Sequence, residues 1–351
     1  MEESRNAGSH VMSEYRCRML GARESVPIGS RCMRTRIIEG MSTQPDSLDP
    51  MGTSAAGSTE TPAWIRMQMV LSYDGAAYNG WARQPNVIGV QQLVEEALEM
   101  LVRRRVRVVV AGRTDAGVHA RRQVVHFDLT QDEYDSLPRK APLEPGPALV
   151  RRINGILGRQ DGAVWVHEAL RAPEGFDARF SALARRYSYR IADGQHRWDP
   201  LTRHLTTWHR EELDVEAMNR EAQSVLGRHD FLTYCKPRPH ATTIRTLQEF
   251  SFTRGADGLI LAHLKADAFC HNMVRALIGA AMMVGDGREK PGFLAARLEQ
   301  MVRDSKTKLS HPRALVLEEV YYPEAGELAA RALQTRARRS QDEAGEASAK
   351  A

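Results

Sequence analysis

The sequence is poor in cysteine. Four occur in 351 residues (Cys17, Cys32, Cys235 and Cys270), with no C-x-x-C pair among them. That spacing offers no disulfide framework and fits a reduced, cytoplasmic setting. Long apolar runs are missing too. No stretch approaches the roughly 18 residues of a membrane span, and none follows the N-terminal charges as a secretory signal would. Neither sign of charge dominates: 49 Lys and Arg face 44 Asp and Glu, a net charge of +5. This mild basic bias suits a polyanionic partner without establishing one. Carboxylate pairs and metal clusters at ligand spacing are also lacking, which counts against a hydrolase built on two carboxylates or a metal.

What is present divides into a plain start, a patterned middle and a plain end. Residues 1–62 show no sustained apolar period, and their Ser, Thr, Gly and Pro read as a disordered extension. Met41 and Met51 are candidates for the start of translation. Glu2, Glu3, Glu14, Glu24 and Glu39 argue against an Arg-rich organelle presequence. Residues 324–351 read as a flexible tail with at most a frayed helix. Between them, residues 65–73 and 105–111 have strand character, and 123–129 is a third strand. Val90, Leu93, Val94, Ala97, Leu98 and Leu101 repeat at helical spacing over 90–102. Later, 186–192 alternates as a strand with Tyr187, Tyr189 and Ile191 on one face. A helix over 213–226 has Asp214 as N-cap, a Leu213/Met218 staple and Gly227 as its stop. A hairpin over 244–253 and 259–265 turns at Asp257-Gly258. Helices at 270–284 and 292–302 precede a last strand at 315–321. The related order in the two halves predicts two similar α+β domains, 63–175 and 176–323.

One stretch does not read as ordinary structure. AGRTDAGVHA, residues 111–120, follows a β-forming run and spaces Arg113 and Asp115 two apart, on the same side of an extended chain. A surface Arg–Asp pair in a turn is the plain reading. In a cleft, the same arginine would keep the carboxylate ionised for attack or proton abstraction on a sugar. His119 has no second histidine at ligand spacing and reads as structural.

The stretch resembles the signature of the TruA family of tRNA pseudouridine synthases. Further matching segments follow in family order: YDGAAYNGWARQ, GVQQLVEEAL, QVVHFD, FDARFSALARRYSYRI, TIRT, ADAFCHNMVRALIGA and LVLEEVYYP. Together they span residues 65–323. The resemblance implies the pseudouridine synthase fold: an α+β chain of two similar domains, each a mixed, mainly antiparallel sheet flanked by helices, with the active-site cleft between them. It implies isomerisation of uridine to pseudouridine at positions 38, 39 and 40 of the tRNA anticodon stem-loop, by a homodimer and without a cofactor or metal.

Residue by residue, the resemblance makes Asp115 the catalytic aspartate. Arg113 matches the motif arginine that pairs with it, and Arg275 a second arginine that supports it. Tyr187 matches the tyrosine that stacks on the target base, and Leu315 an apolar residue packed against that base. The family usually has Gly before this leucine, where the chain has Ala314, so the local backbone is expected to differ. Gly158 stands where the family often has Pro. Arg103, Arg104, Arg105, Arg121, Arg122, Arg185, Arg186, Arg190, Arg245 and Lys265, with Tyr78 and Trp81, are the expected RNA-facing set. A non-catalytic RNA-binding protein on the same scaffold is the alternative. Binding alone has no need of Arg113, Asp115, Tyr187 and Arg275 together.

Overall fold

The computed structural model describes residues 63–159, 161–238 and 242–337. The extension at 1–62 and the tail beyond 337 lie outside the described residues. β1 (Trp64–Tyr73) buries Ile65, Met67, Met69, Leu71 and Tyr73 on one face, as its alternation dictates. α1 (Val90–Val102) has the predicted bounds. β2 (Val109–Val110) is much shorter than the strand expected over 105–111. The reason lies in α1: Val106 and Val108 are buried, but the Val108 N–H donates to the buried Glu95 carboxylate (3.1 Å) instead of joining a ladder. β3 (His119–Thr130) is antiparallel to β1, pairing Trp64 with Thr130 and Tyr73 with Ala120.

Three further elements complete the first half: α2 (Gln131–Asp135), α3 (Pro145–Leu157) and β4 (Val164–Arg171). Leu149, Ile153 and Leu157 give α3 its buried stripe. From the same helix, the Asn154 amide donates to Val166 O (2.7 Å) and accepts from Val166 N (2.9 Å). Gly158 is simply the C-cap, in an ordinary right-handed conformation.

The second half begins with β5 (Ala184–Asp193) and the short β6 (Thr207–His209). α4 (Val215–Ser224) is capped by Asp214, whose side chain accepts from Ala217 N, but it stops before Gly227. That glycine, at φ +102°, instead opens β7 (Gly227–Asp230). β8 (Ile244–Arg254) and β9 (Ile260–Ala266) form the expected hairpin. α5 (Met273–Gly285) and α6 (Phe293–Gln300) precede β10 (Leu315–Tyr321).

A single mixed, mainly antiparallel sheet runs β4-β1-β3-β10-β5-β9-β8-β7, with β2 on β3 and β6 on β5. The halves join where β10 runs parallel to β3, pairing Val316 with His119 and Leu317 with Ala120. One hydrophobic core continues through both halves. α1 and α3 pack together in the first half, and α4 packs against α5, α6 and β8 in the second.

One expectation needs correction. The tail does not turn flexible at 324: residues 328–337 are helical, Leu328 and Ala332 are buried, and Arg336 pairs with Asp177 at 2.7 Å. The side chains of Cys235 and Cys270, 35 residues apart in sequence, lie against each other, with their Cα atoms 5.7 Å apart. Linear spacing conceals that pair, because the β8–β9 hairpin lies between the two cysteines and folds their flanks together.

Candidate active site

The motif at 111–120 leaves β2 and is tied down at nearly every residue. Arg185 donates to Ala111 O (2.8 Å), and the Gln123 amide to Gly112 O (2.8 Å). Thr114 points inward, its hydroxyl 2.8 Å from the Tyr73 hydroxyl. Burial pushes that tyrosine's pKa up to about 12, so it remains a neutral partner. The chain then turns, with Val118 N donating to Asp115 O (3.1 Å).

The segment from Tyr73 to Trp81 forms the bed of this loop. Trp81 N donates to Thr114 O (3.1 Å), and Gly117 N to Tyr78 O (3.3 Å). Gly80, at φ +86°, passes so close that a Cβ there would stand 2.7 Å from Thr114 O and 3.0 Å from the Asp115 carbonyl carbon. This contact explains why a YDGAAYNGW segment and an AGRTDAGVHA segment occur in one chain. His119 is a strut: its Nδ1 lies 3.1 Å from Gly75 N and 3.0 Å from the Asp74 carboxylate, and its Nε2 lies 2.8 Å from Arg313 O.

The Asp115 carboxylate is about one-quarter exposed and faces the second half of the chain. Arg275 Nη1 lies 3.9 Å from Oδ2, and His271 Nε2 lies 3.4 Å from Oδ1. Arg275 is held in turn by its Nε–H on Ser310 O (2.8 Å). Burial lowers its pKa and the Asp115 charge offsets part of that. Arg113 does not take part. It is exposed and, among the described residues, has no ion-pair partner, because the inward Thr114 and the turn at Asp115 break the extended geometry that would align the two side chains. Sequence reasoning missed His271; an HNMVR segment draws attention to its arginine, although the histidine stands one residue before the helix N-cap.

Tyr187 is buried on β5, its ring edge-to-face with Phe269 at 5.2 Å. Burial pushes its pKa well above the usual tyrosine value, and the fields of Tyr73 and Asp115 add to the shift. Leu315 opens β10, buried, directly across from Tyr189, with Leu317 across from Tyr187. Ala314 closes a short 3-10 turn, Pro312–Ala314, without the positive φ that a glycine there would permit.

The chain is similar to "tRNA pseudouridine synthase A" of Leifsonia xyli subsp. xyli, 49% identical over 282 residues, covering 78% of this chain and 98% of that protein. The protein of the same name from Streptomyces griseus subsp. griseus is 48% identical over 278 residues, covering 78% and 94%. That from Streptomyces avermitilis is 47% identical over 288 residues, covering 81% and 97%. The family model described as tRNA pseudouridine synthase matches residues 222–323. The chain belongs to the tRNA pseudouridine synthase A family.

Family membership turns attention to the basic surface, where the structure sorts the expected RNA-facing residues. Arg103, Arg105, Arg121, Arg122 and Arg190 are exposed. Arg104 pairs with Glu133, Arg121 with Glu318, Arg186 with Glu319 and Lys265 with Glu249. Three of the set are not surface groups at all. Arg185 is buried and donates to the backbone carbonyls of Asp267, Ala111 and Arg179, which satisfy its guanidinium. Tyr78 and Trp81 are buried beneath the 111–120 loop, where their backbones hold it. Among the described residues, no helix is long and apolar enough to cross a membrane.

Proposed function

We propose that this chain converts uridine to pseudouridine in tRNA, at positions 38, 39 and 40 of the anticodon stem-loop, with Asp115 as its catalytic residue. The isomerisation breaks the N1–C1′ bond, rotates the uracil and joins C5 to C1′. The C5 proton leaves and N1 gains one, so the products balance without an external reactant. Asp115 serves either by attacking C1′ or by removing the 2′ proton; both routes need an ionised carboxylate beside the ribose.

The observation that carries this reading is the Asp115 carboxylate, presented at the end of a rigidly tied loop with Arg275 and His271 across from it. Arg113, exposed on the same loop, is free to meet the backbone of an everted nucleotide. Tyr187 supplies an aromatic face and Leu315 an apolar one for the uracil, from the neighbouring paired strands β5 and β10. The two halves, 63–175 and 176–323, act as the walls of the cleft. Similarity to the family supports a homodimer working in the cytoplasm, where its tRNA substrate is found.

The test is Asp115→Asn, assayed with tRNA tritiated at uridine C5. Release of tritium should fall by about 10⁴ or more, while tRNA affinity, resting on many phosphate contacts, changes far less. Turnover within tenfold of the parent would exclude Asp115 as the catalytic residue.

A further inference from the structure

His271 stands in an arrangement that its neighbours determine closely. Its carbonyl accepts from Lys236 N (2.8 Å), and the next residue, Asn272, takes a left-handed conformation at φ 71° before α5 begins. Asparagine is among the few non-glycine residues that adopt this conformation. The consequence is that one short segment delivers two groups to Asp115. His271 reaches Oδ1 and Arg275 reaches Oδ2, so each carboxylate oxygen has its own partner.

The ring's tautomer follows from its other side. Arg238 Nη2 lies 3.2 Å from His271 Nδ1. A guanidinium only donates, so Nδ1 must accept and the ring proton must sit on Nε2, the nitrogen facing Asp115. Burial lowers the imidazole's pKa, the nearby Arg238, Lys236 and Arg303 lower it further, and Asp115 opposes them. A neutral ring with its proton on Nε2 is the form these surroundings favour.

We propose that His271 is a positioning residue for Asp115, with Arg238 setting its tautomer: the Nε2–H donates to Oδ1 and orients the carboxylate toward the ribose. This rests on the reading of Asp115 given above. The separation of 3.4 Å is at the long end of hydrogen bonding, as catalytic contacts often are before substrate closes the site.

Four variants test it under single turnover with C5-tritiated tRNA: His271→Leu, His271→Gln, Arg238→Met and the Arg238→Met/His271→Leu double variant. Leu removes the donor, whereas Gln places an amide N–H near the former Nε2. His271→Leu should lower the rate by about 10- to 100-fold, the cost of a misplaced catalytic group, with KM and melting temperature close to the parent's. His271→Gln should recover most of that loss. Arg238→Met should slow the parent several-fold but leave the rate of His271→Leu unchanged, because the two act through one chain of contacts. Full activity in His271→Leu, a loss confined to KM, no recovery with Gln, or an Arg238→Met effect of equal size in both backgrounds would each overturn the proposal. If His271→Leu fails to fold, the Gln and Arg238→Met variants still decide it. Asp115→Asn run alongside separates the two readings: an inactive Asp115→Asn beside a fully active His271→Leu removes only the role of His271.

Discussion

Substituting Gly80 by alanine should cripple the enzyme while leaving it folded. Gly80 has φ +86°, where an L residue is strained by about 1–3 kcal/mol. The added Cβ would also meet Thr114 O at 2.7 Å, when ordinary contact begins at 3.4 Å. Backbone lies on both sides of that contact, so the Asp115 loop must move by roughly half an ångström or more. A displacement of about 1 Å in a catalytic group costs about 10²-fold, and a tenfold to hundredfold fall in turnover is expected here. For a folded unit of this size, the strain should lower the melting temperature by about 3–10 °C.

Two further alanines divide that effect into its parts. Gly287 has φ +74° with nothing within 4 Å of its Cβ position, so Gly287→Ala carries the strain without the clash. Gly155 lies on α3 with equally open space and an ordinary φ, so Gly155→Ala should stabilise by up to about 1 kcal/mol. The assay is tritium release beside a melting curve for each variant. Parental turnover in Gly80→Ala, or the same fall in Gly287→Ala, would refute the claim that the contact at residue 80 registers the Asp115 loop.

Tyr187→Leu should bind tRNA normally and turn over poorly, by about 10²-fold, because the aromatic face for the base is lost; single-turnover rates beside a binding isotherm check this. Arg185→Met should lower stability by about 3 kcal/mol or more in denaturant unfolding, since three carbonyls lose a charged donor. Burial pushes the Asp193 carboxyl up, but the two Arg254 hydrogen bonds and the Leu213 amide pull it below the ordinary value. Its contribution to stability is therefore present above about pH 4 and is lost as the pH falls through the depressed value. Asp193→Asn should remove about 3–5 kcal/mol at pH 7 and flatten that acid-limb loss, as urea unfolding between pH 3 and 7 would show. Affinity for tRNA should drop steeply between low and moderate salt as the exposed arginines release counterions; a flat titration would mean few phosphate contacts.

The sequence by itself determined the elements whose residues report on their own neighbours. The stripe from Val90 to Leu101 can bury only as a helix, the alternation around Tyr187 only as a strand, and Asp257-Gly258 only as a tight turn. It also determined the family and Asp115 as the residue to examine, because those rest on the identity and order of letters. Pairing across distance was not legible. Arg113 and Asp115 are two residues apart and face different surroundings, because Thr114 satisfies its hydroxyl inside the core and the chain turns after it. Arg185 looks like a phosphate ligand in a list of basic residues, yet three carbonyls enclose it. Tyr78 and Trp81 look like exposed aromatics and instead lie under the loop. His271 acquires its meaning only when the β8–β9 hairpin folds residues 235–238 beside 270–271 and β10 settles against β3, since the His271–Asp115 and β10–β3 contacts join groups more than 150 residues apart in the chain. Local periodicity records which face a residue buries, but the partner waiting on that face belongs to another part of the chain, and only the closed sheet selects it.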